Sequence, residues 1–169
     1  MTAASITAAP LTAEAFRPFG DVIAPDGAPD MMINGGRCER FHDLAQLSFE
    51  GGRAGISIFR SDASPLPYVL ELMERHPVGS QAFLPMSASP YLVVVATDDA
   101  GKPGALHAFL AGPGQGVNYR AGTWHAPLIA LEAAQPFAVV DRIGDRFSDG
   151  GNLEEFSLPE PVTVVIPAA

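Results

Sequence analysis

Apolar and polar residues alternate in short runs along most of this chain, and no long 3.6-residue period appears. The runs predict strands at 21–24, 31–34, 40–44, 55–60, 68–76, 81–85, 91–97, 105–110, 116–119, 127–131, 137–142 and 162–166. Turn formers separate them: Asp26-Gly27, Asn34-Gly35, and the stretches 98–104, 112–116 and 144–151. The stretch 65–75 also admits a helical reading, but its prolines and the alternation of Tyr68, Leu70 and Leu72 favour a strand. One short helix is predicted at 11–20 (LTAEAFRPFG), with Thr12 as N-cap, Pro18 limiting its length and Gly20 ending it. Many short strands with almost no helix imply a mainly β sandwich or barrel.

Composition narrows this picture. At 169 residues the chain fits one domain, 1–169, and 47% hydrophobic residues can fill its core. A charged fraction of 17% argues against disorder. The net charge is −9, and the only lysine among ten basic residues is Lys102, so no basic run offers a surface to nucleic acid. An arginine-rich chain of negative charge must gather guanidinium groups locally to hold a small anion, and their planar fork suits a carboxylate. The single cysteine, Cys38, excludes an intrachain disulfide. The start (MTAASITAAP) lacks the basic and apolar regions of a signal peptide, and apolar runs such as 92–96 are far too short to span a bilayer, so a cytoplasmic protein is expected.

Two of the four histidines sit in suggestive contexts. Glu74 and His76 are two apart and share a strand face, and a turn at 77–79 would let Gln81 join them. Between Gly114 and His125, glycines 116 and 122 would let a hairpin present His125 to a cavity. The spacing of Glu74, His76 and Gln81, and of Gly114, Arg120, Gly122 and His125, resembles the two cupin motifs. Glu74, Gln81 and Arg120 depart from the His, Glu and Pro of that pattern. Glu74, His76, Gln81 and His125 could together hold Zn²⁺, Ni²⁺, Mn²⁺ or Fe²⁺. The competing reading leaves both histidines as hydrogen-bonded interior residues. His107 has no supporting constellation, and His42 with Asp43 reads as structural or as part of an interface. Trp124, Met31 and Met32 read as packing residues, and Cys38 as an idle thiol.

Longer stretches carry more. The segments 74–86 (ERHPVGSQAFLPM), 116–128 (GVNYRAGTWHAPL), 39–45 (ERFHDLA) and 11–23 (LTAEAFRPFGDVI) resemble the ureidoglycolate lyase family, and 56–60 and Asp141-Arg142 fit as well. The resemblance implies a cupin-like jelly-roll barrel, often a homodimer, eliminating urea from (S)-ureidoglycolate to give glyoxylate in allantoin and purine degradation. It also implies a divalent metal, Ni²⁺ or Zn²⁺, and no organic cofactor. Arg120 and Ala126 stand where other members can carry histidine, which leaves fewer ligands here. Such chemistry needs a base for the hydroxyl proton, an acid for the leaving nitrogen and a clamp for the carboxylate. His76 or His125 is the expected base, with Glu74 orienting it or acting itself. Arg40, Arg60, Arg120 and Arg142 are candidate clamps, while Arg75 faces away by alternation. Gln81, Asn118 or Tyr119 could read the ureido amide. Two other readings stay open: a hydrolase on the same substrate releasing ammonia, and a non-catalytic cupin that binds a small carboxylate.

Overall fold

The computed structural model describes residues 4–144 and 151–168. In chain order it contains β1 (Ser5–Thr7), β2 (Ala9–Pro10), α1 (Ala13–Phe16), β3 (Gly20–Ile23), β4 (Met31–Ile33), β5 (Cys38–Arg40), β6 (Arg53–Ser61) and β7 (Tyr68–Arg75). It continues with β8 (Gln81–Pro85), β9 (Tyr91–Asp99), β10 (Lys102–Ala111), β11 (Gly116–Tyr119), β12 (Trp124–His125), β13 (Ile129–Ala130), β14 (Gln135–Ile143) and β15 (Glu154–Val165). The turn predicted at 144–151 lies, apart from its end residues, outside the described residues.

The strands form two facing sheets of a cupin-like β-barrel. The larger runs β1-β15-β7-β12-β9-β10-β2, with β13 also on β9, and the smaller runs β3-β11-β8-β14-β6. Val93, Val95 and Phe109 from the larger sheet meet Phe83, Val117, Tyr119, Phe137 and Val139 from the smaller, with Phe16 and Phe19 closing one side. The opposite face of the larger sheet is apolar too, where Leu70, Met73, Leu92, Val94, Ala96, Trp124 and Val164 form a second core. That core is enclosed because the larger sheet curls on itself: the Ala8 amide donates to the Val165 carbonyl and the Leu11 amide to the Leu110 carbonyl. Residues 91–96 of β9 are therefore buried on both faces, so this strand reads as an unbroken apolar run.

Several predicted boundaries shift. Thr12 does cap α1, its Oγ1 accepting from the Ala15 amide at 3.2 Å. The helix ends at Phe16, however, and Gly20 opens β3 instead of closing the helix. Gly20 is needed there for another reason: a Cβ on it would lie 1.8 Å from the Asn118 carbonyl oxygen of the paired strand. The strand expected at 40–44 is replaced by β5 and an irregular stretch, because Asp43 takes φ 54° and the His42 amide donates to the Asp30 carboxylate. The strand expected at 162–166 is the second half of β15, whose pairing with β7 shifts between Ser157 and Val162. Met31 and Met32 are not packed but exposed, on the small β4–β5 hairpin.

Candidate active site

The site is built by two chain crossings between the facing sheets. β7 belongs to the larger sheet and β8 to the smaller, so the turn after Arg75 carries His76 across the barrel mouth and delivers Gln81 to the opposite wall. The second crossing leaves β11 and enters β12, ending on His125, which pairs with Glu74 across the β7–β12 ladder. Gly122 supplies that turn with φ 79°, a conformation only glycine adopts without strain, and its amide donates to the His76 carbonyl at 2.9 Å. The two crossings are thus hydrogen-bonded to each other. The spacings of the two motifs survive, but each spans a sheet-to-sheet crossing where the sequence suggested a hairpin.

Glu74, His76 and His125 each offer a ligand atom, and all three atoms lie within 4.8 Å of one another. His76 Nδ1 lies 2.6 Å from the Asn152 carbonyl oxygen, and His125 Nδ1 lies 2.9 Å from that of Thr123. A carbonyl oxygen only accepts, so both Nδ1 atoms carry the hydrogen, and both Nε2 atoms of the neutral rings present bare lone pairs. These Nε2 atoms are buried and lack a hydrogen-bond partner. Glu74 Oε1 stands 3.5 Å from His125 Nε2. Three electron-pair donors converging in a buried space need a proton or a cation between them, so the donor set fits a divalent metal ion. Gln81 Oε1 is a further buried oxygen without a partner.

The surroundings tune these groups. Burial pushes the Glu74 carboxyl up, but the imidazoles of His125, 3.5 Å away, and His76 outweigh this and hold it below the usual value. Burial, with the charge of His125, holds His76 below the usual imidazole value against the opposing Asn152 carbonyl, Glu74 and Asp141. The Tyr119 ring stacks on His125 with centroids 4.2 Å apart and planes 9° apart. Burial pushes its phenol well above the ordinary value, so Tyr119 is neutral.

Glu74, His76, Gln81, Tyr119 and His125 are therefore brought together. The other candidates are not. Asn118 sits beside Tyr119 on β11 but points to the opposite face, where its Nδ2 donates to the Asp21 carboxylate at 2.9 Å and the Gln46 carbonyl at 3.1 Å. Arg40 lies on the exposed hairpin, its Nη2 2.9 Å from His42 Nδ1. Arg60 is exposed on β6. Arg120 reaches the Arg17 carbonyl, and Arg142 donates to the carbonyls of Glu50 and Gly51. Arg75 faces away as alternation requires: it pairs with Asp98 and Glu154 at 2.6 Å each and covers Trp124.

Two residues that bear on the site were not among its sequence candidates, although Asp141 lay in a family-like pair. Asn152 orients His76 through its carbonyl and holds the Val78 amide through its Oδ1. Asp141 accepts from Gln81 Nε2 at 3.4 Å. Its alternation with buried Phe137 and Val139 on β14 was a usable signal, since Arg142 then had to point outward.

The family profile described as Ureidoglycolate lyase matches residues 3–165. The chain belongs to the ureidoglycolate lyase family. The ureidoglycolate lyase of Rhodobacter capsulatus is 55% identical over 156 residues, covering 92% of this chain and 94% of its own. Those of Chelativorans sp. and Rhizobium etli are 48% and 50% identical, each covering at least 95% of both chains. Among solved structures, a dTDP sugar isomerase from Desulfovibrio desulfuricans aligns over 85% of this chain and 87% of its own, at 18% identity and a TM-score of 0.45.

Proposed function

We propose that this chain is a ureidoglycolate lyase that eliminates urea from (S)-ureidoglycolate to give glyoxylate. The observation that carries the reading is the pair of imidazoles tied at Nδ1 to backbone carbonyls, with both Nε2 atoms facing the Glu74 carboxylate. Near-full-length relatives of that name support it.

The substrate carbon carries a hydroxyl, a carboxylate and a ureido nitrogen. Elimination removes the hydroxyl proton, forms the aldehyde C=O, breaks the C–N bond and returns a proton to the leaving nitrogen. His76 has the means to take the hydroxyl proton: it is held neutral, and the Asn152 carbonyl fixes its Nε2 lone pair toward the cluster. Glu74 Oε1 and His125 Nε2, 3.5 Å apart, can share the proton taken from the hydroxyl, and that pair is placed to return it to the leaving nitrogen. Tyr119 packs flat on His125 and keeps that ring in place. In the metal-loaded form the two Nε2 lone pairs and the Glu74 carboxylate, with Gln81 adjacent, would instead hold Ni²⁺ or Zn²⁺, and the ion would supply Lewis-acid polarisation of the hydroxyl in place of a free imidazole base.

The same proposal makes the partner a small molecule, with neither nucleic acid nor membrane, and the active form a cytoplasmic homodimer. No helix among the described residues is long and apolar enough to cross a membrane. The test is a stopped assay on racemic ureidoglycolate that counts urea, glyoxylate and ammonia, with and without prior chelation. Equal urea and glyoxylate from one enantiomer is the expected result, and loss of turnover after chelation would assign the metal. Ammonia without urea would make the chain a hydrolase, and no product would make it a binding protein.

A further inference from the structure

Asp141 lies on β14 opposite Gln81 of β8 and belongs to neither sequence motif. A carboxylate only accepts hydrogen bonds, so the end of the Gln81 amide that faces Asp141 Oδ2 at 3.4 Å must be the NH₂ end. That contact turns the amide oxygen away from Asp141. Gln81 is 6% exposed, and its Oε1 is buried without a partner. An orphaned buried acceptor is costly unless a ligand completes it. The next strand places Tyr119 directly across from Gln81, and Tyr119 covers His125, so the orphaned oxygen borders the reaction cluster.

We propose that Asp141 is a positioning residue that fixes Gln81 with its carbonyl oxygen toward the substrate, and that this oxygen accepts an N–H of the ureido group. The inference rests on the reading of the site as a ureidoglycolate lyase and deepens it. Selectivity follows from the sign of the dipole. An acceptor at this point welcomes the ureido N–H and repels a carboxylate, so it fixes which end of the substrate lies against β8. Without Asp141 the amide is free to rotate and to present its NH₂ instead.

The experiment compares two unreactive monoanions on the purified protein by calorimetry. N-carbamoylglycine keeps the ureido group and carboxylate but lacks the hydroxyl, whereas glycolate keeps the hydroxyl and carboxylate but lacks the ureido group. Removing the Asp141 charge shifts both affinities alike, so their ratio isolates the amide contact. Asp141→Leu and Gln81→Leu should each lower the affinity ratio of N-carbamoylglycine to glycolate about tenfold, the worth of one buried hydrogen bond. In this ratio the double variant should lose no more than Gln81→Leu alone, because the charge Asp141 also places near His76 acts on both anions alike and only its hold on Gln81 separates them. The isosteric Asp141→Asn, whose amide can offer either end, should fall between, and it serves as the reading if Asp141→Leu does not fold. An unchanged ratio, or additive losses in the double variant, overturns the proposal. So does a fall in Ni²⁺ affinity on Gln81→Leu, which would make Oε1 a metal ligand. Absence of urea production by the wild-type protein would instead overturn the underlying function.

Discussion

At the scale of single residues, backbone carbonyls decide the chemistry of this site. Thr123 and Asn152 set the tautomer of both histidines before any ligand arrives, so the imidazoles are preorganised rather than merely present. Neighbours on one strand can have opposite duties for the same reason of direction. Tyr119 lies over His125, whereas Asn118 next to it ties β11 to Asp21 and the Gln46 carbonyl. A paired comparison separates the two. His76→Ala should lower kcat about 10²- to 10⁴-fold, the usual span for loss of a general acid or base, with the melting curve little changed. Asn118→Ala should show the reverse: about 1–3 kcal/mol lost in urea unfolding, from emptying a fully buried position and leaving the Asp21 carboxylate and Gln46 carbonyl short of a donor, with kcat close to wild type. A collapse of kcat in Asn118→Ala, without loss of stability, would return that residue to the substrate.

At the scale of elements, one charged cluster ties together four strands behind the site. Arg75 of β7 bridges Asp98 of β9 and Glu154 of β15, and Trp124 of β12 donates its indole N–H to Asp98 at 3.0 Å. The indole hydrogen bond, then the Gly101 amide, and also Arg75 hold the Asp98 carboxyl below its ordinary value. The folded protein therefore favours the ionised form. The stabilisation is complete above the unfolded carboxyl value and is lost as pH falls through the lower folded one. Asp98→Asn should thus melt below wild type at neutral pH, and the two melting temperatures should converge as the pH is lowered through the carboxylate range. A gap that stays constant with pH would remove the charge from the account. The strands themselves were largely legible from alternation, since 81–85 and 116–119 coincide with β8 and β11. Those that were not legible are short or set by distant partners. β1, β2 and β12 are two or three residues long and exist only because β15, β10 and β9 offer them ladders. The histidine motifs were legible by spacing. The sheet crossings were not, because a turn of the same residues serves a hairpin or a crossover, and Asn152 comes to His76 from 76 residues away.

At the scale of the whole molecule, the outer face of the smaller sheet is the least finished surface. Ile56 and Ile58 on the edge strand β6 are 78% and 60% exposed, and Met86 after β8 is 58% exposed. The register places Val140 and Ala138 of β14 beside the two isoleucines, and Leu84 of β8 beside Ala138, so these residues share one face. A contiguous apolar face of this kind marks an association surface. The proposed homodimer would seat a second copy of this chain here. At a net charge of −9, copies repel one another over most of their surface, and this face brings apolar residues together with no acidic side chain among them. A two-fold axis through it would also cover the free edge of β6, which otherwise invites open-ended pairing. Sedimentation velocity should therefore show a dimer for the wild-type protein. Ile56→Glu with Ile58→Glu should shift it to monomer while leaving the histidine cluster, on the inner side of the barrel, intact. Monomeric wild-type protein at tens of micromolar, or a double variant that still sediments as a dimer, would move the interface elsewhere. If the monomeric variant keeps its turnover, each barrel is a complete enzyme; if turnover is lost with the interface, the dimer is part of the site.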